Sequence, residues 1–219
     1  MSKSQEEEDA NSAQENPMEV ACLDLEGVLV PEIWINFAQA TGIDKLKATT
    51  RDVADYDVLM RQRLEILKTH KLGLADIQAV IDNMGPLEGA KDFLSWLRQR
   101  FQVIIVSDTF YQFAAPLMRQ LGYPTLFCNR LVVDENDNIC DYKLRQKDQK
   151  RQAVIALHQL KYKVIAAGDS FNDTSMLGEA DSGILFRPPE SVSRQFPQFP
   201  VANNYEELKA EFIKASSRL

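Results

Sequence analysis

Residues 19–32 read EVACLDLEGVLVPE. The run from Val20 to Leu23 is apolar without a break, it ends at Asp24, and Gly27 follows at once. That pattern predicts a buried strand running into a turn. A strand with no polar alternation belongs in a parallel sheet covered on both faces. Asp24 and Glu26 are two residues apart, so on an extended segment they point to the same side and can share a pocket. Two close carboxylates repel, and their protonation equilibria separate. One stays ionised as a nucleophile while the other keeps a proton for transfer. A turn carrying two solvated acids has the same two letters, and the pair alone does not decide between them.

The texture changes beyond that turn. Trp34, Phe37 and Ala38 recur at helical spacing, as do Leu59, Leu64 and Leu67, and then Leu74, Ile77, Val80 and Ile81. No strand pattern interrupts them, so 33–85 is read as a small helical insert. After Pro86–Gly89, helix and strand alternate. Helices are expected at 90–100, 110–121, 148–160 with Asp148 as cap, 172–180 and 205–216. Strands are expected at 102–106, 124–128, 163–167 and 183–186, with a hairpin at 131–133 and 139–142 around Asp134–Asn138. Alternation of this kind predicts an α/β fold, a doubly wound parallel sheet with a small α-helical cap inserted after the first strand. The predicted organisation is a disordered acidic leader at 1–17, an α/β core at 18–32 and 86–219, and a cap at 33–85.

Composition narrows the chemistry. The chain has 219 residues, 45% hydrophobic and 26% charged, enough for one large domain with an insertion. Its net charge of −7 opposes a phosphate-neutralising nucleic-acid surface. Over half of that excess lies in the leader, where Lys3 faces Glu6, Glu7, Glu8, Asp9 and Glu15. No apolar run is long enough for a membrane span, and the leader lacks the apolar core of a signal peptide. Cys22, Cys128 and Cys140 show no paired spacing, which fits a reducing, cytoplasmic setting. With only His70 and His158 present, a histidine-rich metal site is excluded. The available chemistry is that of carboxylates.

Three predicted strands end in Asp24, Ser107 and Asp169, and ligands of open α/β sheets bind outside the carboxyl ends of strands. Ser107 and the amides after it can hold phosphate oxygens, or Ser107 or Thr109 can simply cap the next helix. Gly168-Asp-Ser-Phe-Asn-Asp173 sets Asp169 and Asp173 around a helix start, as hard ligands for Mg²⁺ or as an Asx-rich cap. Lys150 and Lys147 are rival cations for the same region. Ala153, Val154 and Leu157 follow Lys150 in helical phase, which favours it.

An aspartate, a hydroxyl, a lysine and an acidic pair in that order, each at a strand end or helix start, resemble the four motifs of the haloacid dehalogenase superfamily of phosphotransferases. The resemblance runs from about residue 18 onward. Within the superfamily the chain is most similar to phosphoserine phosphatases, in particular to those that also transfer the phosphoryl group to homoserine. It implies Asp24 as nucleophile, forming an aspartyl phosphate, and Glu26 as general acid/base where most members carry Asp. It implies Mg²⁺ held by the Asp24 carboxylate, the Glu26 carbonyl and Asp169, with Asp173 supporting. Ser107 and Lys150 would bind the phosphoryl group, and Asp108 and Asn172 are counted with them on the substrate side. Arg63 in RLEIL resembles the cap arginine that grips the substrate carboxylate, and Glu32 the acid that pairs with its amine. The implied substrates are O-phosphoserine and homoserine, with no nucleic-acid or membrane partner and a homodimer left open.

Two other readings use part of the same pattern. A phospho-Asp signalling module also combines aspartate, hydroxyl and lysine on a doubly wound sheet, but needs only about 120 residues and no helical cap. A capped phosphatase for another small phosphate ester shares every motif except the cap residues. No G-x-G-x-x-G follows the first strand and no P-loop is present, which removes dinucleotide oxidoreductases and P-loop kinases.

Overall fold

The computed structural model describes residues 18–49, 52–53 and 55–219. The expected leader at 1–17 lies outside the described residues. The central sheet has the order β4-β3-β2-β1-β5-β6-β7. Its strands are β1 (Glu19–Leu23), β2 (Gln102–Phe110), β3 (Thr125–Val133), β4 (Ile139–Lys143), β5 (Lys163–Gly168), β6 (Ser182–Phe186) and β7 (Val201–Ala202). All neighbouring pairs are parallel except β3 and β4, the predicted hairpin, which is antiparallel.

All five residues of β1 are buried, and alternation divides its four apolar residues between two cores. Ala21 and Leu23 join a cluster with Ile105, Ile165, Phe186 and Phe212. Val20 and Cys22 join another with Val154, Leu157, Val164 and Met176. The apolar run is thus the signature of a strand covered on both sides. The chain leaves β1 for β2 on one side and later returns to β5 on the other. That reversal places the carboxyl end of β1, and so Asp24, at the topological switch point where such sheets open a crevice.

Between β1 and β2 lie the helices α1 (Ile33–Thr41), α2 (Tyr56–His70), α3 (Leu74–Asp82) and α4 (Ala90–Arg98), with a 3₁₀ turn at Asp44–Lys47. Trp34, Phe37, Met60, Leu64, Leu67, Ile77 and Ile81 are continuous with the core that covers the Leu23 face. The remaining helices are α5 (Tyr111–Gln120), α6 (Gln149–Gln159), α7 (Thr174–Glu179), α8 (Glu190–Gln195) and α9 (Tyr205–Ala215). Among the described residues no helix is long and apolar enough to cross a membrane.

Several local expectations need correction. β2 does not stop at Val106: it continues to Phe110 through a register shift against β3. Neither Ser107 nor Thr109 caps α5, whose N-cap is Phe110. The segments expected at 124–128 and 131–133 are one strand, β3. Asp148 stands at the N-cap of α6 but in a left-handed conformation, φ 51°, without a capping bond. Its Oδ1 instead accepts from Ser175 Oγ at 2.8 Å, tying the start of α6 to α7.

Candidate active site

A cavity of about 360 Å³ opens at the switch point, lined at its floor by Asp24, Ser107, Lys150 and Asp169 and at its roof by Glu32, Trp34, Tyr56 and Arg63. Asp24 is 4% exposed, and its Oδ1 accepts from the Leu25 amide at 2.7 Å and from Lys150 Nζ at 2.9 Å. Both donors converge on one oxygen, and among the described residues Oδ2 takes no hydrogen bond. β1 delivers this carboxylate: the Asp24 amide still donates to Ala167 O of β5 at 2.9 Å, so the ladder runs up to the site.

Lys150 is 2% exposed and also reaches Asp173 Oδ1 at 2.6 Å and Asp108 Oδ2 at 3.7 Å. Burial opposes its charge, but Asp173, Asp24 and Asp108 outweigh that and hold its pKa well above the ordinary lysine value. Lys147, the rival, is exposed. The helical phase explains the difference: Ala153, Val154 and Leu157 bury the same face of α6 that carries Lys150.

Asp173 is fully buried. Its Oδ2 accepts from the amides of Asp169 and Ser170, both at 3.0 Å, while Lys150 takes Oδ1. The acid both caps the 3₁₀ turn at Phe171–Asp173 and anchors the lysine. Asp24, Asp169 and Asp173 place one oxygen each within 4.8 Å of one another. Burial, Asp173 and Asp169 push Asp24 well above the usual carboxylate range, against the pull of Lys150. Burial, Asp173 and Glu32 raise Asp169 to about 7. Crowded hard oxygens that resist ionisation are what a divalent cation stabilises. With both Asp173 oxygens engaged, Asp24 and Asp169 are the carboxylates left to offer ligands. Gly27, at φ +76°, leaves room for this: a Cβ there would stand 2.4 Å from Asp169 Oδ2. The donor set fits a small hard cation.

Glu26 faces the same cavity from the turn after β1, and its Oε2 accepts from the Ile33 amide at 3.0 Å. Burial, followed by the charge of Glu32, raises it to about 8, against the hydrogen bond from Ile33. Glu32 also shares a hydrogen bond with it. Glu32 is the N-cap residue of α1 yet makes no capping bond.

Ser107 is 2% exposed, and its Oγ accepts from the Thr109 amide at 3.3 Å. The bulged end of β2 is held by Gln149, whose Nε2 donates to Ser107 O at 2.8 Å and to Asp108 Oδ1 at 2.9 Å. Asn172 Nδ2 donates to Asp108 Oδ2 at 3.0 Å. Burial would raise Asp108, but Lys150 and the bonds from Gln149 and Asn172 prevail and hold it low. Asp108 and Asn172 therefore form a mutually bonded wall of the cavity. Gln149, Tyr56 and Trp34 line or brace the site, and the sequence does not single them out. Gln149 adjoins Lys150, and that adjacency is the one available signal.

Arg63 of α2 is 7% exposed rather than a solvated helix residue. Nη2 donates to Ala48 O at 2.8 Å, Nη1 lies 3.8 Å from Met60 Sδ, and buried Nε has no partner. Among the described residues no carboxylate reaches ion-pair distance of it. Burial lowers its pKa to about 10, still charged at neutral pH. A buried cation with an unfilled donor suits an anionic group of a ligand.

Comparison with known proteins shows the family of the chain. Residues 18–181 match the haloacid dehalogenase-like hydrolases. The chain is 65% identical over 208 residues to a phosphoserine phosphatase of Pseudomonas syringae pv. tomato, covering 95% of this chain and 88% of that one. It is 67% identical over 201 residues to the phosphoserine phosphatase ThrH of Pseudomonas aeruginosa, covering 92% and 98%. A solved phospho-aspartyl intermediate analogue of phosphoserine phosphatase shares the fold, with a TM-score of 0.74, 20% identity and coverage of 89% and 98%. The chain belongs to the haloacid dehalogenase-like hydrolase family.

Proposed function

We propose that this hydrolase is a phosphoserine phosphatase working through an aspartyl phosphate on Asp24, with phosphoryl transfer from O-phosphoserine to homoserine as a second activity. The observation that carries the reading is the polarity of the cavity. At one end a buried aspartate is held by a buried lysine; at the other a buried arginine has an unfilled donor, with two carboxyls between. A small zwitterionic phosphate ester carries the matching groups. Its phosphoryl group suits the lysine end, its carboxylate Arg63, and its amine Glu32. In this reading 33–85 is the cap that supplies the second end and 18–32 with 86–219 the core that supplies the first.

Lys150 and Leu25 N–H hold Asp24 Oδ1, which leaves Oδ2 to attack phosphorus in line. Lys150 and Ser107 Oγ offset charge on the equatorial oxygens. Glu26, protonated at neutral pH by its raised pKa, gives its proton to the departing serine oxygen. It then takes a proton from whichever hydroxyl follows, water to give phosphate or homoserine to give O-phosphohomoserine. Mg²⁺, held by the Asp24 and Asp169 carboxylates and the Glu26 carbonyl with Asp173 behind, would supply positive charge beside the phosphoryl oxygens.

The test supplies O-phosphoserine, Mg²⁺ and homoserine and quantifies inorganic phosphate against O-phosphohomoserine, with Asp24→Asn as control. Both products are expected from the natural chain, and neither from the variant. No phosphohomoserine at saturating homoserine removes the transferase activity, and persistent Mg²⁺-dependent turnover by Asp24→Asn removes the nucleophile.

A further inference from the structure

Arg63 is not held by a counter-charge but by a ring. Its guanidinium carbon lies 4.4 Å from the Trp34 ring centre, and both side chains line the cavity. Trp34 sits in the first turn of α1, two residues after Glu32, and is itself fixed. Its ring meets Phe113 of α5 edge-on at 5.4 Å and Phe37 at 6.4 Å. Phe113 lies on α5, outside the helical insert, in the same apolar cluster as Trp34 and Phe37, so the indole is anchored both from the insert and from α5.

A guanidinium is planar and all its N–H vectors lie in that plane. A ring under one face therefore fixes the plane without consuming a donor. The remaining contacts fix rotation within the plane: Nη2 gives one of its two N–H groups to Ala48 O, and Nη1 rests against Met60 Sδ. Nε stays buried and unpartnered. A carboxylate presents two coplanar acceptor oxygens and needs two coplanar donors, so holding the guanidinium plane is what makes its in-plane edge selective for a carboxylate over water or a rounder anion.

We propose that Trp34 is a positioning residue for Arg63, and that the stacked pair sets the preference for phosphate esters bearing a carboxylate. This rests on reading Arg63 as the carboxylate grip, and the experiment separates the two. The ratio of kcat/KM for O-phosphoserine to that for p-nitrophenyl phosphate, which has no carboxylate, is measured for the natural chain, Trp34→Leu, Trp34→Phe, Arg63→Ala and the Trp34→Leu/Arg63→Ala double variant. Trp34→Leu should lower the ratio roughly 5- to 30-fold, mostly through KM for O-phosphoserine, the range expected for a desolvated cation–π contact. Trp34→Phe, which keeps a ring, should recover most of it. In the Arg63→Ala background Trp34→Leu should change the ratio no further.

Equal losses on both substrates with Trp34→Leu, or losses that multiply in the double variant, overturn the proposal. If Arg63→Ala lowers the ratio while Trp34→Leu does not, the proposal alone falls. If Arg63→Ala leaves the ratio unchanged, the reading of Arg63 falls and takes the proposal with it.

Discussion

Replacing Lys150 by Met offers the sharpest test of the charge arrangement. Lys150 is 2% exposed and stands 2.9 Å from Asp24 and 2.6 Å from Asp173. Met matches the length of the stem and removes only the charge and its donors. Buried Asp173 and Asp24 then face each other without a cation. Breaking a buried ion pair from one side costs about 3–5 kcal/mol, because the remaining charge is stranded. For a chain of this size that is a fall in Tm of roughly 6–20 °C. Lys147→Met, on an exposed side chain three residues away, should shift Tm by no more than about 2 °C.

The pH dependence has a definite sign. Asp24 and Asp169 already sit above the ordinary carboxylate range, Asp169 at about 7. An acid whose folded pKa lies above its unfolded value destabilises the fold as pH rises from the unfolded value to the folded one. Without Lys150 these folded values rise further, so the deficit of Lys150→Met should be larger at pH 8 than at pH 5.5. Added Mg²⁺ should recover part of it by offsetting the same carboxylates. The assay is thermal unfolding of both variants at the two pH values, with and without Mg²⁺. A Lys150→Met deficit no larger than that of Lys147→Met, or one that grows on acidification, refutes the reasoning.

Two further outcomes follow from buried acids. Glu26→Gln removes the proton donor, so turnover of O-phosphoserine should fall about 10²- to 10⁴-fold. The burst of nitrophenolate from p-nitrophenyl phosphate should survive, because that leaving group departs without a proton; loss of the burst as well would place Glu26 outside proton transfer. Glu19 at the start of β1 accepts from Ser216 Oγ at 2.6 Å and from the Ser217 amide and hydroxyl at 2.8 and 2.9 Å. Burial would raise its pKa, but these bonds and Lys163 prevail and lower it. A depressed acid contributes stability that is present above its unfolded pKa and lost as pH falls through its folded value. Glu19→Gln should therefore cost about 2 kcal/mol in urea unfolding at pH 7, a gap that closes towards pH 3; a gap independent of pH would remove the ionised form from the account.

Most of the fold was legible because burial on both faces leaves an unmistakable trace. The run before Asp24 has no polar position, and helical phases such as Ala153, Val154 and Leu157 mark which face is covered. What stayed hidden was short or irregular. β7 has two residues, and α8 lies between Pro189 and Pro197, where no period can establish itself. The pattern predicts the end of β2 at Val106, because polar letters usually close a strand, yet the strand runs on to Phe110. Here Gln149 and Asn129 satisfy the polar groups of the bulge: Gln149 donates to Ser107 O and Asn129 to Asp108 O. The strand continues through residues that would otherwise end it.

The site divides along the same physical line. Residues placed by a strand end have their position written in the local pattern, as with Asp24 after β1 and Asp169 after β5, whereas Ser107 lies within β2, which runs on to Phe110. Residues whose placement depends on a contact made across the chain carry no such mark. Trp34 reads as an ordinary apolar position of an amphipathic helix, and in part it is one, since it packs on Phe37 and Phe113. Its other face lies under a guanidinium 29 positions further along, a relation no period reports. The choice between Lys147 and Lys150 lies between these cases, because Lys147 stands exposed in the turn before α6 while Lys150, in its first turn, is enclosed by Asp24, Asp108 and Asp173. The scarcity of histidine is consistent with this. In the proposed mechanism, burying Glu26 beside the charge of Glu32 raises its carboxyl to about 8, so that it would serve as the proton donor that an imidazole supplies elsewhere.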